Sequence, residues 1–544
     1  MKKKLYGNTS GLKNTQIKQL ETLYDFTSAP EYIADPDLIQ ALAQLSHRIR
    51  RQIGLLIDRN GRIIYVIAGE PHRIVIPVTP DYRAIPGKLK GLRLVHTHLK
   101  NEPLTRDDLT DLALLRLDYI TAVCLSDKGR PSLIYSAHIL PDETKAPYQV
   151  LEPAYIEDMH NDCLARILAL ESELTRKNSL YKPETGKENA FLINAAPHND
   201  IENAASSMEE LKELCKTGHI NVIGSCIQHR KIIDSKFVVG KGKLSDLIIR
   251  AIQNHATMLV FDRELSSSQV AAIADFVEMK VIDRTQLILD IFAKQAKSRE
   301  GKFQVELAQM EYLLPRLGSK HTAMSRLTGG IGGRGPGETK LEINRRRVRE
   351  KITRLKKEIA KIRKQRIQQK SRRKKKNLPV ISIVGYTNAG KSTLLNTLTK
   401  SCITAADRLF ATLDPSSRQL RFPRDREVII TDTVGFIQNL PATLMQAFHA
   451  TLEELKDADI ILHVIDISNP RYQQQKQSVE KILKTLKLDR IPTVCVLNKI
   501  DRINLETFDD QWLLKTGIPV CARHRQSLKP LVEKLESMAF MKQN

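Results

Sequence analysis

No stretch of this sequence stays apolar for the roughly 18 residues that a membrane helix needs, because charges break each run earlier. No membrane span is therefore expected. Cysteine is sparse: Cys124, Cys163, Cys215, Cys226, Cys402, Cys495 and Cys521 make seven, an odd number never in C-x-x-C spacing. That pattern argues against a disulfide framework and a structural zinc ribbon, and fits a reducing compartment. The basic start, Met1-Lys-Lys-Lys-Leu-Tyr-Gly-Asn-Thr-Ser, is not followed by the apolar core of a secretory signal, so a cytoplasmic location is expected. Acidic residues are the minority, 62 against 86 Lys and Arg, for a net charge of +24. At 544 residues the chain is too long for one core, and about three to four domains are the prior.

The excess charge is concentrated. Residues 340–376 hold 19 Lys and Arg against 3 Glu, a net +16. So dense a block repels itself without counter-charge, and RNA is the favoured partner. A solvated helix or a nuclear-type basic patch is the plainer alternative. From Ile343 through the block, Val348, Ile352, Leu355, Ile359 and Ile362 recur at steps of three to five, which predicts one apolar seam along a basic helix. Val305, Leu307, Met310, Leu313, Leu314 and Leu317 form a second stripe, and the two predict an antiparallel helical hairpin. Between them Thr328-Gly-Gly-Ile-Gly-Gly-Arg334-Gly-Pro-Gly-Glu338 has too many glycines for helix or strand and must be a loop.

The expected organisation is α/β multidomain. Residues 1–185 read as an N-terminal α+β extension, with a hairpin of Ile53–Asp58 and Arg62–Ala68 about the Asn60-Gly61 turn. Residues 186–300 read as a small α/β domain, 301–377 as the basic hairpin, and 378–544 as a C-terminal α/β domain with a mostly parallel sheet.

The last region carries the chemistry. Val380-Ile-Ser-Ile-Val is a strand-like run that leads into Gly385-Tyr386-Thr387-Asn388-Ala389-Gly390-Lys391-Ser392-Thr393 and then a helix-forming stretch. Glycines let backbone N–H groups curl around a β-phosphate, Lys391 brings charge to the β- and γ-phosphates, and Ser392 can ligate magnesium. A second strand ends in Asp432-Thr433-Val434-Gly435, where Asp432 can hold magnesium through water and the Gly435 N–H can meet the γ-phosphate. Thr412, in Leu409-Phe-Ala-Thr-Leu-Asp-Pro, is suited to close over magnesium, with Ser416 and Ser417 as competitors. Residues 378–544 thus read as a P-loop G domain, with Lys391, Thr412 and Gly435 as the catalytic candidates. Guanine is selected by Asn498-Lys499-Ile-Asp501: the Asp501 carboxylate can accept two hydrogen bonds from N1 and the exocyclic amine, a pair that adenine lacks. Lys499 can lie against the base, and Val520-Cys521-Ala522 would offer a backbone N–H to the guanine oxygen. After Gly435, where many Ras-type GTPases place a glutamine, stands Phe436, so unaided hydrolysis should be slow. Asn388 resembles the asparagine that holds potassium beside the phosphates in several GTPase families. Capping or bracing the loop is its other reading.

Further signatures resemble one family, the HflX-type GTPases of the Obg–HflX superfamily: Val239-Gly-Lys-Gly-Lys-Leu, Val281-Ile-Asp-Arg-Thr, Leu287-Ile-Leu-Asp-Ile-Phe-Ala, Val305-Glu-Leu-Ala-Gln-Met-Glu-Tyr-Leu-Leu-Pro-Arg-Leu, Gly329-Gly-Ile-Gly-Gly-Arg-Gly-Pro-Gly-Glu-Thr-Lys-Leu-Glu and Gly385-Tyr-Thr-Asn-Ala-Gly-Lys-Ser. The resemblance runs from near Asn221 onward. It implies a monomeric, stress-response factor that binds GTP and GDP, uses magnesium, docks on the ribosome's large subunit and its RNA, and splits stalled or idle ribosomes. The glycine-rich loop with Arg334 would reach toward the peptidyl-transferase centre, and Arg345, Arg346, Arg347 and Arg349 would meet RNA. Escort of large-subunit assembly is the alternative, and a nucleotide-independent RNA-remodelling protein is an alternative of another class. Leu528–Met538 reads as the last G-domain helix, so the resemblance does not extend to the small C-terminal domain of many members.

In the extension, Leu92-Arg-Leu-Val-His96-Thr-His98 would put both histidines on one face of a strand, with Thr105 and Asp108 downstream. A metal could sit there. The pattern resembles the H-x-H…S-x-x-D signature of JAMM-type metalloproteases, but the gap is one residue short, Thr105 replaces Ser and no upstream glutamate is well placed. Structural histidines or a relic of such a fold are the expected reading. Gly240-Lys-Gly-Lys243 could touch phosphate, with a tight turn as its plainer role.

Overall fold

The computed structural model describes the chain except residues 1–3, 78, 80, 81, 83–87, 141–147, 159–161, 181–187, 199, 278, 319–339, 375–377, 400–415, 423–425, 434, 438–452, 505–507, 509 and 541–544. It falls into two compact units. One comprises Met1–Phe191, Val239–Met258 and Val277–Met279, the other Leu192–Val238, Leu259–Phe276 and Lys280–Asn544.

The first unit is built on a seven-stranded mixed sheet of β1 (Leu5–Gly7), β2 (Ile53–Asp58), β3 (Ile63–Ala68), β4 (Leu92–His98), β5 (Tyr119–Leu125), β6 (Pro131–Ile139) and β7 (Tyr148–Val150), in spatial order β1-β3-β2-β4-β5-β6-β7. The expected hairpin is β2–β3, closed at Gly61, whose φ of 82° and approach to Ser28 leave no room for a side chain. Helices α1 (Asn14–Glu21), α2 (Pro36–Ile49), α3 (Arg106–Leu115) and α4 (Cys163–Leu180) complete most of it. Two begin with strong caps: Asp37 N–H donates to Asp35 Oδ1 before α2, and Thr105 and Asp108 form a capping box at α3. Leu20, Leu38, Ile39 and Leu42 bury against Leu55, Val66 and Val95 of the sheet.

The second unit holds α5 (Ile201–Thr217) and most of a four-stranded sheet, β8 (Asn189–Pro197), β9 (Asn221–Arg230), β10 (Met258–Phe261) and β11 (Lys280–Asp283), in order β11-β10-β8-β9. Helix α6 (Lys241–Gln253) belongs to the first unit, where Arg106 pairs with Asp246 at 2.9 Å. α7 (Ser267–Ala274), α8 (Arg284–Gln295) and α9 (Arg299–Leu313) follow, then α10 (Lys340–Lys374), the basic helix. α9 and α10 pack together, with Glu306–Lys351 at 2.6 Å and Glu311–Lys356 at 2.8 Å. Leu355 is buried, Val348, Ile352, Ile359 and Ile362 are half-buried, and the intervening basic residues face out. The glycine-rich loop with Arg334 lies outside the described residues.

The G region is a six-stranded sheet of β12 (Val380–Gly385), β13 (Ser416–Arg421), β14 (Glu427–Asp432), β15 (Ile460–Asp466), β16 (Thr493–Asn498) and β17 (Ile518–Val520). Its order is β13-β14-β12-β15-β16-β17, parallel except for the antiparallel edge β13. α11 (Lys391–Thr399), α12 (Tyr472–Thr485), α13 (Gln511–Thr516) and α14 (Lys529–Phe540) flank it. Ile381, Ile383, Leu394, Leu395, Val428, Ile430, Leu462 and Val496 form its core, as expected of a sheet whose strands read as continuous apolar runs. Among the described residues no helix is long and apolar enough to cross a membrane.

Candidate active site

The parallel registers bring the motif residues to one edge. Ile383 pairs with Asp432, Gly385 with Val464, Asp466 with Asn498 and Asn498 with Val520. The carboxyl ends of β12, β14, β15, β16 and β17 therefore converge, the edge at which parallel α/β sheets bind ligands.

At that edge the phosphate loop runs from Gly385 into α11. Asn388 adopts φ 62° and Gly390 φ 92°. A side chain at Gly390 would put Cβ 2.2 Å from Asn498 Nδ2. Thr393 sits in the first turn of α11, and the N–H groups and dipole at a helix N-terminus favour an anion. Lys391 is buried and donates to the Tyr386 carbonyl at 2.8 Å. Burial pushes its ammonium down to about 8, opposed by the charge of Asp432. An arriving phosphate would supply the missing counter-charge.

Ser392 Oγ donates to Asp432 Oδ2 at 2.7 Å, and Asp432 is fully buried. A hydroxyl and a carboxylate held side by side are a fitting oxygen donor set for a hard cation such as magnesium, the ion that P-loop GTPases generally use. Thr433 Oγ1 donates to the Ile383 carbonyl at 2.7 Å and locks the end of β14 onto β12. Just beyond, Thr387 N–H donates to the Phe436 carbonyl at 2.7 Å and Phe436 N–H to the Gly385 carbonyl at 3.1 Å. The segment that follows Gly435 is thus stitched directly to the phosphate loop. A Cβ on Gly435 would meet Thr387 Cγ2 at 2.8 Å and Lys391 Nζ at 2.9 Å. Phe436 is buried, and its side chain offers no polar atom to a water. Thr412 and Val434 lie outside the described residues, while Ser416 and Ser417 open the edge strand β13.

The base-reading elements are tied to the same loop by Asn498. Its Nδ2 donates to the Ala389 carbonyl at 2.8 Å, and its Oδ1 accepts from the Ala522 N–H at 2.9 Å. Cys521 N–H donates to Ser527 Oγ at 3.0 Å. Either amide must exchange that bond before it can serve a guanine oxygen. Lys499, at φ 65°, donates to Asp466 Oδ2 at 2.6 Å. Asp501 is exposed in the short turn after it, and a hydrogen bond from the Cys521 thiol holds its carboxyl below the usual range.

Sequence reading missed three partners. Asp466, the anchor of Lys499, left a signal: like Asp432, it is a carboxylate at the end of an apolar strand. Ser527 left none. Neither did Glu210 of α5, which accepts from the Tyr386 hydroxyl and also pairs with Arg284, itself 2.9 Å from Asp262. The Tyr386 side chain thus faces α5, leaving its backbone to the phosphate loop. Arg471, before α12, also bonds Ser206 of α5. Of the RNA-facing candidates, Arg346, Arg347 and Arg349 are exposed on α10 and Arg345 is half-buried.

Family comparisons agree with this geometry. Residues 205–293 match a model described as GTP-binding GTPase N-terminal, 295–373 one described as GTP-binding GTPase Middle Region, and 380–499 one described as 50S ribosome-binding GTPase. The protein named GTPase HflX from Alkalihalophilus pseudofirmus is 46% identical over 315 residues, 58% of this chain and 74% of that protein. Its namesake in Caldanaerobacter subterraneus subsp. tengcongensis is 45% identical over 354 residues, 65% of this chain and 81% of that one. The Escherichia coli GTPase HflX is 42% identical over 302 residues, 56% and 70% respectively. With that similarity across most of each relative, and with the phosphate and base elements assembled on one sheet edge, the chain belongs to the HflX GTPase family and is a GTP-hydrolysing enzyme.

Proposed function

We propose that this GTPase works on the ribosome, docks on the large subunit through α10 and the loop before it, and separates stalled or idle ribosomes into subunits under stress. The observation that carries the reading is the outward basic face of α10, with Arg346, Arg347 and Arg349 exposed, in a helix that ends six residues before the phosphate-loop strand begins. A polyanion neutralises that face and releases counterions as it does so.

In this reading Lys391 and the N–H groups of residues 385–393 hold the phosphates. Ser392, Thr412 and, through water, Asp432 hold magnesium. Gly435 reports the γ-phosphate, and Asn498, Lys499, Asp501, Cys521 and Ala522 form the guanine pocket. Bound magnesium would neutralise charge that develops on the transferring phosphoryl group. With Phe436 where a water-orienting residue would stand, the ribosome completes the site and hydrolysis then releases the factor. Asn388, in its left-handed turn, would offer its side-chain amide to a potassium ion beside the phosphates. The protein acts as a cytoplasmic monomer.

The test is sucrose-gradient sedimentation of intact ribosomes with the protein and GTP. Conversion of 70S particles to subunits is expected; ribosomes left intact, with the protein bound only to large-subunit precursors, would favour the assembly role instead.

A further inference from the structure

In the first unit, β4 carries His96 and His98 two residues apart, so their side chains emerge on one face of the sheet. The seven residues 99–105 bring the chain back, and Asp108, in the first turn of α3, faces the pair. Both histidines are buried, at 1% and 2% exposure, whereas Asp108 is 20% exposed. His96 Nε2 lies 3.0 Å from His98 Nε2 and 3.4 Å from Asp108 Oδ1, and His98 Nε2 is 3.6 Å from Asp108 Oδ2. The three donors lie within 4.8 Å of one another.

From these distances we infer a metal site: His96 Nε2, His98 Nε2 and an Asp108 carboxylate oxygen bind one zinc-type divalent ion, with the fourth position open toward solvent on the Asp108 side. Two imidazoles and a carboxylate suit zinc. A tetrahedral ion with bonds of about 2.0–2.1 Å separates its ligand atoms by roughly 3.3 Å, close to the distance between the two imidazole nitrogens and to that of each from its nearer carboxylate oxygen, Oδ1 for His96 and Oδ2 for His98.

The surrounding bonds prepare the ligands. His98 Nδ1 is 2.9 Å from the Glu102 carbonyl, so it carries the proton and leaves the Nε2 lone pair facing the cluster. Asp108 Oδ2 accepts from both the N–H and the hydroxyl of Thr105, at 2.7 Å each, which fixes the carboxylate on the helix end. The Thr105–Asp108 capping box explains the local chain path. It does not explain why two buried imidazoles turn their Nε2 atoms toward each other as well as toward the carboxylate. His96 Nδ1 has no hydrogen-bond partner among the described residues, so the polar bonding of that ring is all on the Nε2 side. The shortened loop and the Thr in place of Ser, which argued for merely structural histidines, do not keep the three donors apart.

The experiment uses the full-length protein, stripped with a chelator and titrated with Zn2+ or Co2+ without nucleotide. One equivalent of either ion should bind. Bound Co2+ should show the intense visible absorption of a tetrahedral site, lost when Zn2+ is added. His98→Gln and Asp108→Asn should each weaken binding by at least about 10–100-fold, the range set by lost outer-shell partners alone. Asp432→Asn, in the G region, should leave stoichiometry and spectrum unchanged. Circular dichroism checks that each variant is folded; if His98→Gln is not, the more exposed Asp108→Asn decides. Substoichiometric binding by the unaltered protein, a weak octahedral cobalt spectrum, or full-strength binding in folded Asp108→Asn would overturn the site.

Discussion

Asp501 shows how much a single side chain can be asked to decide. In the proposed reading its carboxylate pairs with two adjacent donors on guanine, and Asp501→Asn would turn one acceptor into a donor. GTP affinity should fall by roughly 100-fold and xanthosine triphosphate should become the better ligand, measured by competition for a fluorescent nucleotide. Gly435→Ala tests the other end of the site. The added methyl would crowd Thr387 and the Lys391 ammonium, so GTP hydrolysis should drop steeply while GDP affinity changes little. A parallel loss of GDP binding would show that Gly435 only shapes the fold. His463, on β15, has its imidazole pushed down to about 4, first by burial and then by Lys476 and Lys391. A folded value below the unfolded 6.5 means that the unfolded chain binds the extra proton first. Stability is then intact above pH 6.5 and falls by about 3 kcal/mol as pH drops through 4. Urea unfolding followed on the G region should show that loss, and His463→Leu should flatten it.

At the scale of elements, the G region was legible because three of its strands are largely apolar runs that each end in a chemical residue, β12 in Gly385, β14 in Asp432 and β16 in Asn498. The seam of α10 was legible too, since its apolar residues recur at helical spacing and the structure turns them inward. β8 escaped sequence reading: Asn189-Ala-Phe-Leu-Ile-Asn-Ala-Ala-Pro has few β-branched residues, and its place between β10 and β9 comes from tertiary pairing. Gly240-Lys-Gly-Lys243 does open a helix, with Gly240 at φ 82° before α6, and an isolated bridge, Asp234 with Val238, precedes it. The double role of Asn498, bracing the phosphate loop and the base loop at once, depends on registers between strands far apart in sequence, which no local pattern records. Asn498→Ala leaves a buried carbonyl and a buried amide without that partner. The G region should lose about 1–3 kcal/mol in urea unfolding, with weaker binding of GDP and GTP alike.

For the whole molecule, the second unit joins a nucleotide site to a long cationic helix, while the first carries the histidine cluster and, by the reading above, its metal. If α10 is the RNA-binding element, affinity for ribosomes must fall steeply with salt, and each phosphate-contacting arginine removed should lower the log–log slope by about 1. The triple change of Arg346, Arg347 and Arg349 to alanine should therefore lower it by roughly 2–3 without altering nucleotide affinity. The most direct measurement of the account is equilibrium binding of the protein to large ribosomal subunits, across a salt series, with GDP and with a non-hydrolysable GTP analogue. Tight, salt-sensitive binding only with the analogue is the predicted result; equal binding with both nucleotides would contradict it.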